Sequence, residues 1–348
     1  MLPEKVDFKA VHVWLVIAVL ALLVLVPAYA QWSGQSYYVT LVTRMMIYGI
    51  AATSLNLLVG YTGLVSLGHA LFLGIGAYAV GIPAFHGLDN GWLQLLLVIA
   101  STAVVGALTG LVVLRTQGMA FIMITLAFAQ MFFYLGVSLK EYGGDDGMSL
   151  PGRSRLAPFD LESNGQLYYL ALAILVATLY LSWRLVHSRF GYVLRGIKSN
   201  ERRMKALGFS TVRYKLAIYV VAGVIAGVAG FLLANLSSYV SPSSSAWTIS
   251  GELVVMVILG GIGTVFGGAL GALALLLIEE LLSSFTEHWM AVLGLLIVAI
   301  VLIAKNGIYG SIRTWSLSVR RRALAPPARP DQAGGAAAIK AGTPGAGG

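Results

Sequence analysis

From residue 38 to residue 186 the sequence is a succession of apolar runs, each about as long as a helix that crosses hydrocarbon, roughly 17 to 25 residues. They lie at Tyr38 to Val59, Gly63 to Ile82, Trp92 to Leu114, Met119 to Leu139 and Leu167 to Val186. A bilayer supplies no water to a peptide group, so such a run is held to a helix or to backbone buried in protein. The composition agrees, with 58% hydrophobic and 11% charged residues and a mean hydropathy of +0.84. These values place the chain among polytopic membrane proteins, and its length counts crossings rather than globular domains. It has no cysteine, which excludes disulfides, thiol catalysis and cysteine-ligated metals.

Orientation follows from the stretch Arg184 to Lys215, RLVHSRFGYVLRGIKSNERRMKALGFSTVRYK, which carries nine Lys and Arg residues against the single acid Glu201. Lys and Arg near segment ends resist translocation, so this stretch is expected in the cytoplasm. The net charge of +9 is concentrated there and after residue 304, which makes it a topology signal rather than a nucleic-acid footprint. With the amino terminus inside, the sixth crossing ends where the basic stretch has to be. The connection from Lys140 to Gln166 then faces outward; its five acids outnumber three basic residues, and Gly143-Gly144-Asp145-Asp146-Gly147 is a turn signal.

The first apolar segment, Val13 to Val26, follows Lys5 and Lys9 and precedes Ala28-Tyr29-Ala30. It fits a cleavable signal peptide, and it fits a retained first span, the reading adopted here. After the basic stretch, Leu216 to Leu236 crosses outward and Ser237 to Ser250 reads as a Ser-rich external loop. The run from Gly251 to Leu282 decides the count of crossings. As one helix it would put Lys305, Arg313 and Arg320-Arg321-Arg322 outside, against the positive-inside rule. Gly260-Gly261-Ile262-Gly263 and Gly267-Gly268 supply a break, because glycine tolerates turns and close backbone approach.

The expectation is therefore a descending segment from Leu253 to Leu259, a Gly-rich turn, a returning helix from about Ala269 to Leu282, and a last helix from Trp289 to Ala304. The fold class is an all-α polytopic membrane protein of about ten passes with a Gly-rich broken or re-entrant segment. Three regions result: residues 1–37 with the first crossing, 38–312 as the transmembrane domain, and 313–348 as a basic, then Ala/Gly/Pro-rich tail. The last part of the tail is expected to be disordered.

Within the basic stretch, Ser199 or Asn200 is placed to N-cap a helix that Glu201 opens, and Gly208 to end it in a left-handed cap. Met204, Ala206 and Leu207 with Phe209 form a small apolar patch among Arg202, Arg203 and Lys205, suited to docking in a groove on another protein. The plainer reading is a connector whose charges only fix topology. His69 stands without a nearby acid or second His, so neither a metal site nor a charge relay is supported. It is either a packed core residue or part of a transport path, together with Ser66.

Glu252 and Glu279-Glu280 fall near the outer interface, away from a buried proton relay. Gly63, Ser66, Gly68, Gly74 and Gly76, and Gly223, Ala226, Gly227 and Gly230, recur at helical spacing and suit close helix packing. A broken helix lines a path more readily, because its free backbone groups must face protein or water. Gly260, Gly261 and Gly263 are accordingly the better path candidates.

Six stretches in order carry a family resemblance: GLVSLGHALFLGIGAYAVG at 63–81, GMAFIMITLAFAQM at 118–131, GGDDGMSLP at 143–151, SRFGYVLRGIKSNERRMKALGF at 188–209, ELVVMVILGGIGTVFGGALGAL at 252–273 and NGIYG at 306–310. With them the chain resembles the permease subunits of bacterial branched-chain amino acid ABC importers, the LivM type, over about residues 40–312. Members seat a cytoplasmic helix with an E-A-A-x-x-x-G-like core in a cleft of the ATPase subunit. Glu201, Ala206 and Gly208 fall on comparable positions, while Arg202 and Arg203 stand where the general pattern has alanines. Position 69 often carries Gln in such proteins, where this chain has His69.

The resemblance implies an inner-membrane importer in which this chain pairs with a second, related permease, two cytoplasmic ATPases and an external solute-binding protein. Coupling then runs through Asn200, Glu201, Arg202, Arg203, Met204, Ala206, Leu207 and Gly208, inside a cytoplasmic loop at 187–215. No cofactor is implied for this chain, since it lacks the G-x-x-x-x-G-K-[ST] phosphate loop and ATP would bind the partners. Related permeases serve urea, short amides or other amino acids. A secondary transporter working alone would instead need an intramembrane acid or a partnered His for ion coupling, and a membrane enzyme would need paired polar residues.

Overall fold

A computed structural model describes residues 18–27, 36–157, 159–285, 287–303, 307, 308 and 310. It is almost wholly helical, as a chain with these apolar runs has to be. The helices are α1 (Ala18–Pro27), α2 (Ser36–Thr62), α3 (Ala70–Phe85), α4 (Gly91–Val113), α5 (Met119–Ser138), α6 (Asn164–His187), α7 (Arg189–Ser199), α8 (Glu201–Ala206), α9 (Thr211–Ser237), α10 (Trp247–Gly260), α11 (Gly267–Phe285) and α12 (Trp289–Ile303). Among the described residues six of them, α2, α4, α5, α6, α9 and α11, are long and apolar enough to cross a membrane. The architecture is that of a polytopic helical membrane protein. The cleavage-site reading at residues 28–30, the charges at Lys305, Arg313 and Arg320 to Arg322, and the tail from 313 onward lie outside the described residues.

Helix α2 is the axis of the bundle. From Met45 to Thr62 every residue is buried, because α6, α9, α10 and α11 pack around it. Its sequence suits enclosure on all sides, being apolar around its circumference with small residues that let neighbours approach. Its hydroxyls are satisfied within the helix: Thr43, Thr53, Ser54 and Thr62 donate to the carbonyls of Val39, Gly49, Ala51 and Leu58 at 2.6–2.7 Å.

The α3–α9 crossing shows what the small-residue spacing does. A Cβ on Gly76 would overlap the Gly227 carbonyl, one on Gly230 would overlap the Leu73 carbonyl, and one on Gly223 would lie 2.9 Å from the Phe72 ring. These glycines bring two backbones into contact, where dispersion between many close atoms holds helices together.

Two short antiparallel ladders close one end of the bundle. Strand β1 (Met148–Ser149) pairs with β4 (Tyr239–Val240), and β2 (Arg155–Leu156) with β3 (Phe159–Asp160). The α5–α6 connection, which carries β1, β2 and β3, is pinned to the helices. The Ser154 amide donates to Asn235 Oδ1 at 2.8 Å, and the Ser154 hydroxyl donates to Gln94 Oε1. Helix α9 leaves α8 and reaches β4 after 27 residues, about 40 Å of helix, so α7 and α8 occupy the opposite end.

The structure departs from the expected elements at three places. The third run is not one helix from Gly63 to Ile82: residues 63–69 are irregular and α3 begins only at Ala70. Gly63 turns the chain with φ +76°, and the amides that follow find side-chain acceptors. Helix α10 begins at Trp247, not Leu253: Trp247 to Ser250, which read as loop, form its first turn with Ser250 buried. The basic stretch holds a helix, α7, ahead of the expected short one, with Gly191, Leu194 and Ile197 on its buried face.

The glycines give a test with opposite signs. Gly76→Ala forces the Gly227 backbone to move and is expected to destabilise by about 1–3 kcal/mol. Gly294→Ala on α12, where a Cβ meets nothing within 4 Å, is expected to be neutral or to stabilise by up to about 1 kcal/mol. Thermal unfolding of the purified protein in detergent measures both.

Candidate functional site

The basic end is built from two local caps. Asn200 ends α7 and opens α8, its Oδ1 accepting from the Arg203 amide at 2.9 Å. The cap is Asn200 and not Ser199, which closes α7. At the far end the Phe209 amide donates to the Met204 carbonyl at 3.1 Å and the Gly208 amide to the Lys205 carbonyl at 3.0 Å. This is the six-to-one and five-to-two pattern of a Schellman motif, and it needs the left-handed φ of +87° at Gly208.

The side chains of α8 divide between two directions. Met204 turns inward to α7, where a Cβ on Gly196 would lie 2.7 Å from its sulfur. Arg202, Arg203, Lys205, Ala206 and Gly208 are exposed, and so are Leu207 at 66% and Phe209 at 37%. Glu201 points back into the protein. It accepts from Lys215 Nζ at 2.6 Å, Thr211 Oγ1 at 3.0 Å and Gln117 Nε2 at 3.1 Å, and pairs with Lys205 at 3.2 Å. One carboxylate thus fastens α8 to α9 and to the α4–α5 turn. Burial alone pushes the Glu201 carboxyl up, but the hydrogen bonds from Lys215 and Lys205 outweigh it and hold the group below its ordinary value of 4.5.

The second feature is the irregular stretch 63–69. Leu67 donates to Thr125 Oγ1 at 3.3 Å, Gly68 to Ser66 Oγ at 3.2 Å, and Ala70 to the buried Ser250 Oγ at 2.9 Å. His69 is fully buried, with Nε2 2.8 Å from Ser54 Oγ. The Ser54 proton is directed at the Ala51 carbonyl, so the ring donates through Nε2. Among the described residues Nδ1 has no partner. The first three amides of α3 are already taken, by Ser250 and by the carbonyls of Gly68 and His69. This helix start holds chain, not a free amide cradle for an anion.

The third feature is the turn between α10 and α11. Asn56 on α2 spans it, with Nδ2 donating to the Thr264 carbonyl at 2.6 Å and Oδ1 accepting from the Gly263 amide at 2.9 Å. Gly261 and Gly263 have φ of +116° and +78°, and Gly260 lies so near Gly267 that a Cβ would overlap its carbonyl. His69 meets α2 at Ser54, and Gly263 meets it at Asn56. Their contacts on α2, Ser54 and Asn56, stand two residues and so about 200° apart on the helix. Among the described residues no group of three or more His, Asp or Glu side chains converges as a metal site.

The family described as "Branched-chain amino acid transport system / permease component" matches residues 37–301. The chain belongs to this permease family. It is 30% identical over 295 residues to the high-affinity branched-chain amino acid transport system permease protein LivM of Salmonella typhimurium, covering 78% of this chain and 69% of that protein. The LivM protein of Escherichia coli matches to the same extent. LivH of Escherichia coli, described as a permease protein of the same kind of system, is 23% identical over 291 residues, covering 77% of this chain and 93% of its own length. No solved structure matches the chain.

Within this permease-family chain, the sequence reading missed the residues that hold the site together. Asn56 carried a usable signal, since a carboxamide within an apolar run marks a required partner. Ser250 and Thr125 carried none, because small hydroxyls are common in such helices. Lys215 and Gln117 were hidden by their distance in sequence from Glu201.

Two outcomes are expected. Because the Glu201 value is depressed in the folded state, its stabilisation is fully present above about pH 4.5 and is lost as pH falls through the folded value. Glu201→Gln should therefore loosen α8 already at pH 7, with amide exchange over 201–208 about fivefold faster after correction for intrinsic rates, as a loss of about 1 kcal/mol implies. Ser250→Ala strands the Ala70 amide in the core and should lower stability by about 1–3 kcal/mol in thermal unfolding.

Proposed function

We propose that the chain is the transmembrane permease subunit of an ATP-driven importer for branched-chain or related amino acids. One observation carries the reading. At the basic end, α8 is a short helix capped at both termini, braced from behind by the pairing of its Glu201 with Lys215 on α9, and showing Arg202, Arg203, Leu207 and Phe209 outward. A rigid helix of this kind with basic and apolar side chains on its free side suits docking into a groove on a cytoplasmic ATPase. The residues assigned to that contact are Asn200 to Met204 and Ala206 to Gly208, with Glu201 and Met204 holding the helix and the others facing the partner.

The proposed topology has ten passes with both termini inside. The six long apolar helices are joined by α1, α3, α10 and α12, which are shorter. The α10–α11 pair descends from the ladder end to the level of Asn56 and returns, as a broken or re-entrant hairpin. The crossing of 63–85 is irregular over 63–69 and helical over the 16 residues of α3. Residues 38–312 form the transmembrane domain and 187–215 the coupling region. The partners are a second, related permease, two ATPases, and an external solute-binding protein seated on the ladder end; substrate choice rests largely with that binding protein. The path follows the irregular stretches, Ser66 to His69 and Gly260 to Gly263. Closure of the ATPase dimer displaces α8, and the helices behind it alternate access between the two faces.

The test is uptake into vesicles, with the chain reconstituted alone and in assembly with its partners. Uptake requires ATP and the ATPases. Transport by the isolated chain under an ion gradient would instead mark a stand-alone carrier. Gly208→Pro removes the amide that donates to Lys205 and forbids the left-handed φ. It is expected to lower uptake per ATP at least about tenfold, a coupling loss within the usual range of 1–3 kcal/mol, while the protein still inserts. Unchanged coupled uptake in this variant removes α8 from the mechanism.

A further inference from the structure

Behind the coupling helix, three elements meet at one residue. Lys198, in the last turn of α7 and two residues before the α8 cap, donates its ammonium to the Gly60 carbonyl at 2.6 Å. Gly60 lies in the last turn of α2, where carbonyls lack intrahelical partners and favour a cation. The same residue is pressed against the Gly-rich turn. A Cβ on Gly60 would stand 2.7 Å from the Gly263 amide nitrogen and Cα and 2.6 Å from Asn56 Oδ1. One helical turn earlier, Asn56 uses both ends of its carboxamide on that turn, on Gly263 and Thr264. From the far side Gly307 closes on it, a Cβ there lying 2.5 Å from Gly261 Cα and nitrogen.

A lysine capping a helix end needs none of this. A cap is satisfied by any surface cation, and it leaves the neighbouring backbone free. Here the capped carbonyl belongs to a glycine with no side chain between α2 and the turn, so the cation, the helix end and the turn have no slack between them. Packed interfaces of this tightness shift as units rather than deform gradually.

We infer that Lys198 and Asn56 are positioning residues that lock α7–α8 to the tip of the α10–α11 hairpin through the end of α2, so that displacement of the coupling helix moves the Gly-rich turn. The inference rests on the reading of α8 as the ATPase-engaging element. It assigns the Gly260 to Gly267 turn to the moving part of the path, and it gives the route by which the stroke arrives: Asn200, Lys198, Gly60, Asn56, Gly263. Each link in that route is a hydrogen bond, a close contact or continuous helix.

The test uses the full importer in proteoliposomes. The chain has no cysteine, so Ser199→Cys at the exposed end of α7 and Ile262→Cys at the exposed turn supply its only two thiols for spin labels, and uptake is read in the chain without them. In the otherwise unmodified chain the distance between the labels is expected to stay constant between nucleotide-free and ATP-bound states, because the two sites travel together. Lys198→Met and Asn56→Leu should each make that distance change on ATP binding and lower uptake per ATP hydrolysed by about tenfold, within the range of a coupling free energy. Lys198→Arg keeps a donor and should restore both readouts; a merely structural loss would not follow that pattern. Wild-type uptake per ATP and a constant label distance in Lys198→Met overturn the inference while leaving the importer reading intact. Absence of ATP-driven uptake in the unmodified assembly overturns the reading beneath it and the inference with it.

Discussion

Inside an apolar bundle a peptide group that leaves the helix has nowhere to turn but to the protein itself. Among the described residues helix breaks in the interior at 63–69 and at 261–266, and the rest of the structure is arranged around meeting the groups so released. Thr125 and Ser250 serve the first break, and Asn56 serves the second from both ends of one carboxamide. An unpaired buried amide costs about 1–3 kcal/mol, so these few side chains decide whether either break exists at all. Helix α2 makes both possible, because it passes between them and presents Ser54 to one side and Asn56 to the other.

The glycines do a second job beside turning the chain. Where α3 crosses α9, and where α10 meets α11 and α2, no side chain stands between the backbones. The hydrophobic effect offers little between helices already in lipid, so adhesion there comes from surface fit and from hydrogen bonds that reach across. The fit has a mechanical side. A joint made of backbone against backbone has no rotamers to absorb strain, and it passes a displacement on. The buried axis of α2 and the clasped turn beside it are the parts where such transfer is most direct.

How far the fold was legible in the sequence depended on how local each cause is. The short helix at 201–206 was visible because its two caps, Asn200 and Gly208, stand at its own ends and act within a few residues. The break at Gly260 to Gly267 was visible because glycine pairs interrupt an apolar run that is otherwise continuous. The break at 63–69 was not, since Gly63, Ser66 and Gly68 suit a packed helix equally well and the acceptors that hold the chain open come from α5 and α10. The start of α10 was misplaced for a related reason. Ser250 reads as the end of a loop, yet its hydroxyl is spent on Ala70. The direction of Glu201 was equally hidden: its residue type suits the first turn of any helix, whereas its partners Lys215 and Gln117 arrive only through the fold.

The contact of Gly307 with Gly261 has a temporal meaning as well. The roof over the Gly-rich tip comes from a residue that the ribosome adds only after α11 and α12 have been made. At about 5–20 residues per second the tip at Gly261 waits roughly 2 to 9 seconds for its cover. During that interval Asn56, on a helix made much earlier, holds the Gly263 amide and the Thr264 carbonyl, while Thr264 bonds back to Gly261 within the tip. Synthesis thus sets α2 in place before the tip exists and brings Gly307 to the tip only afterwards.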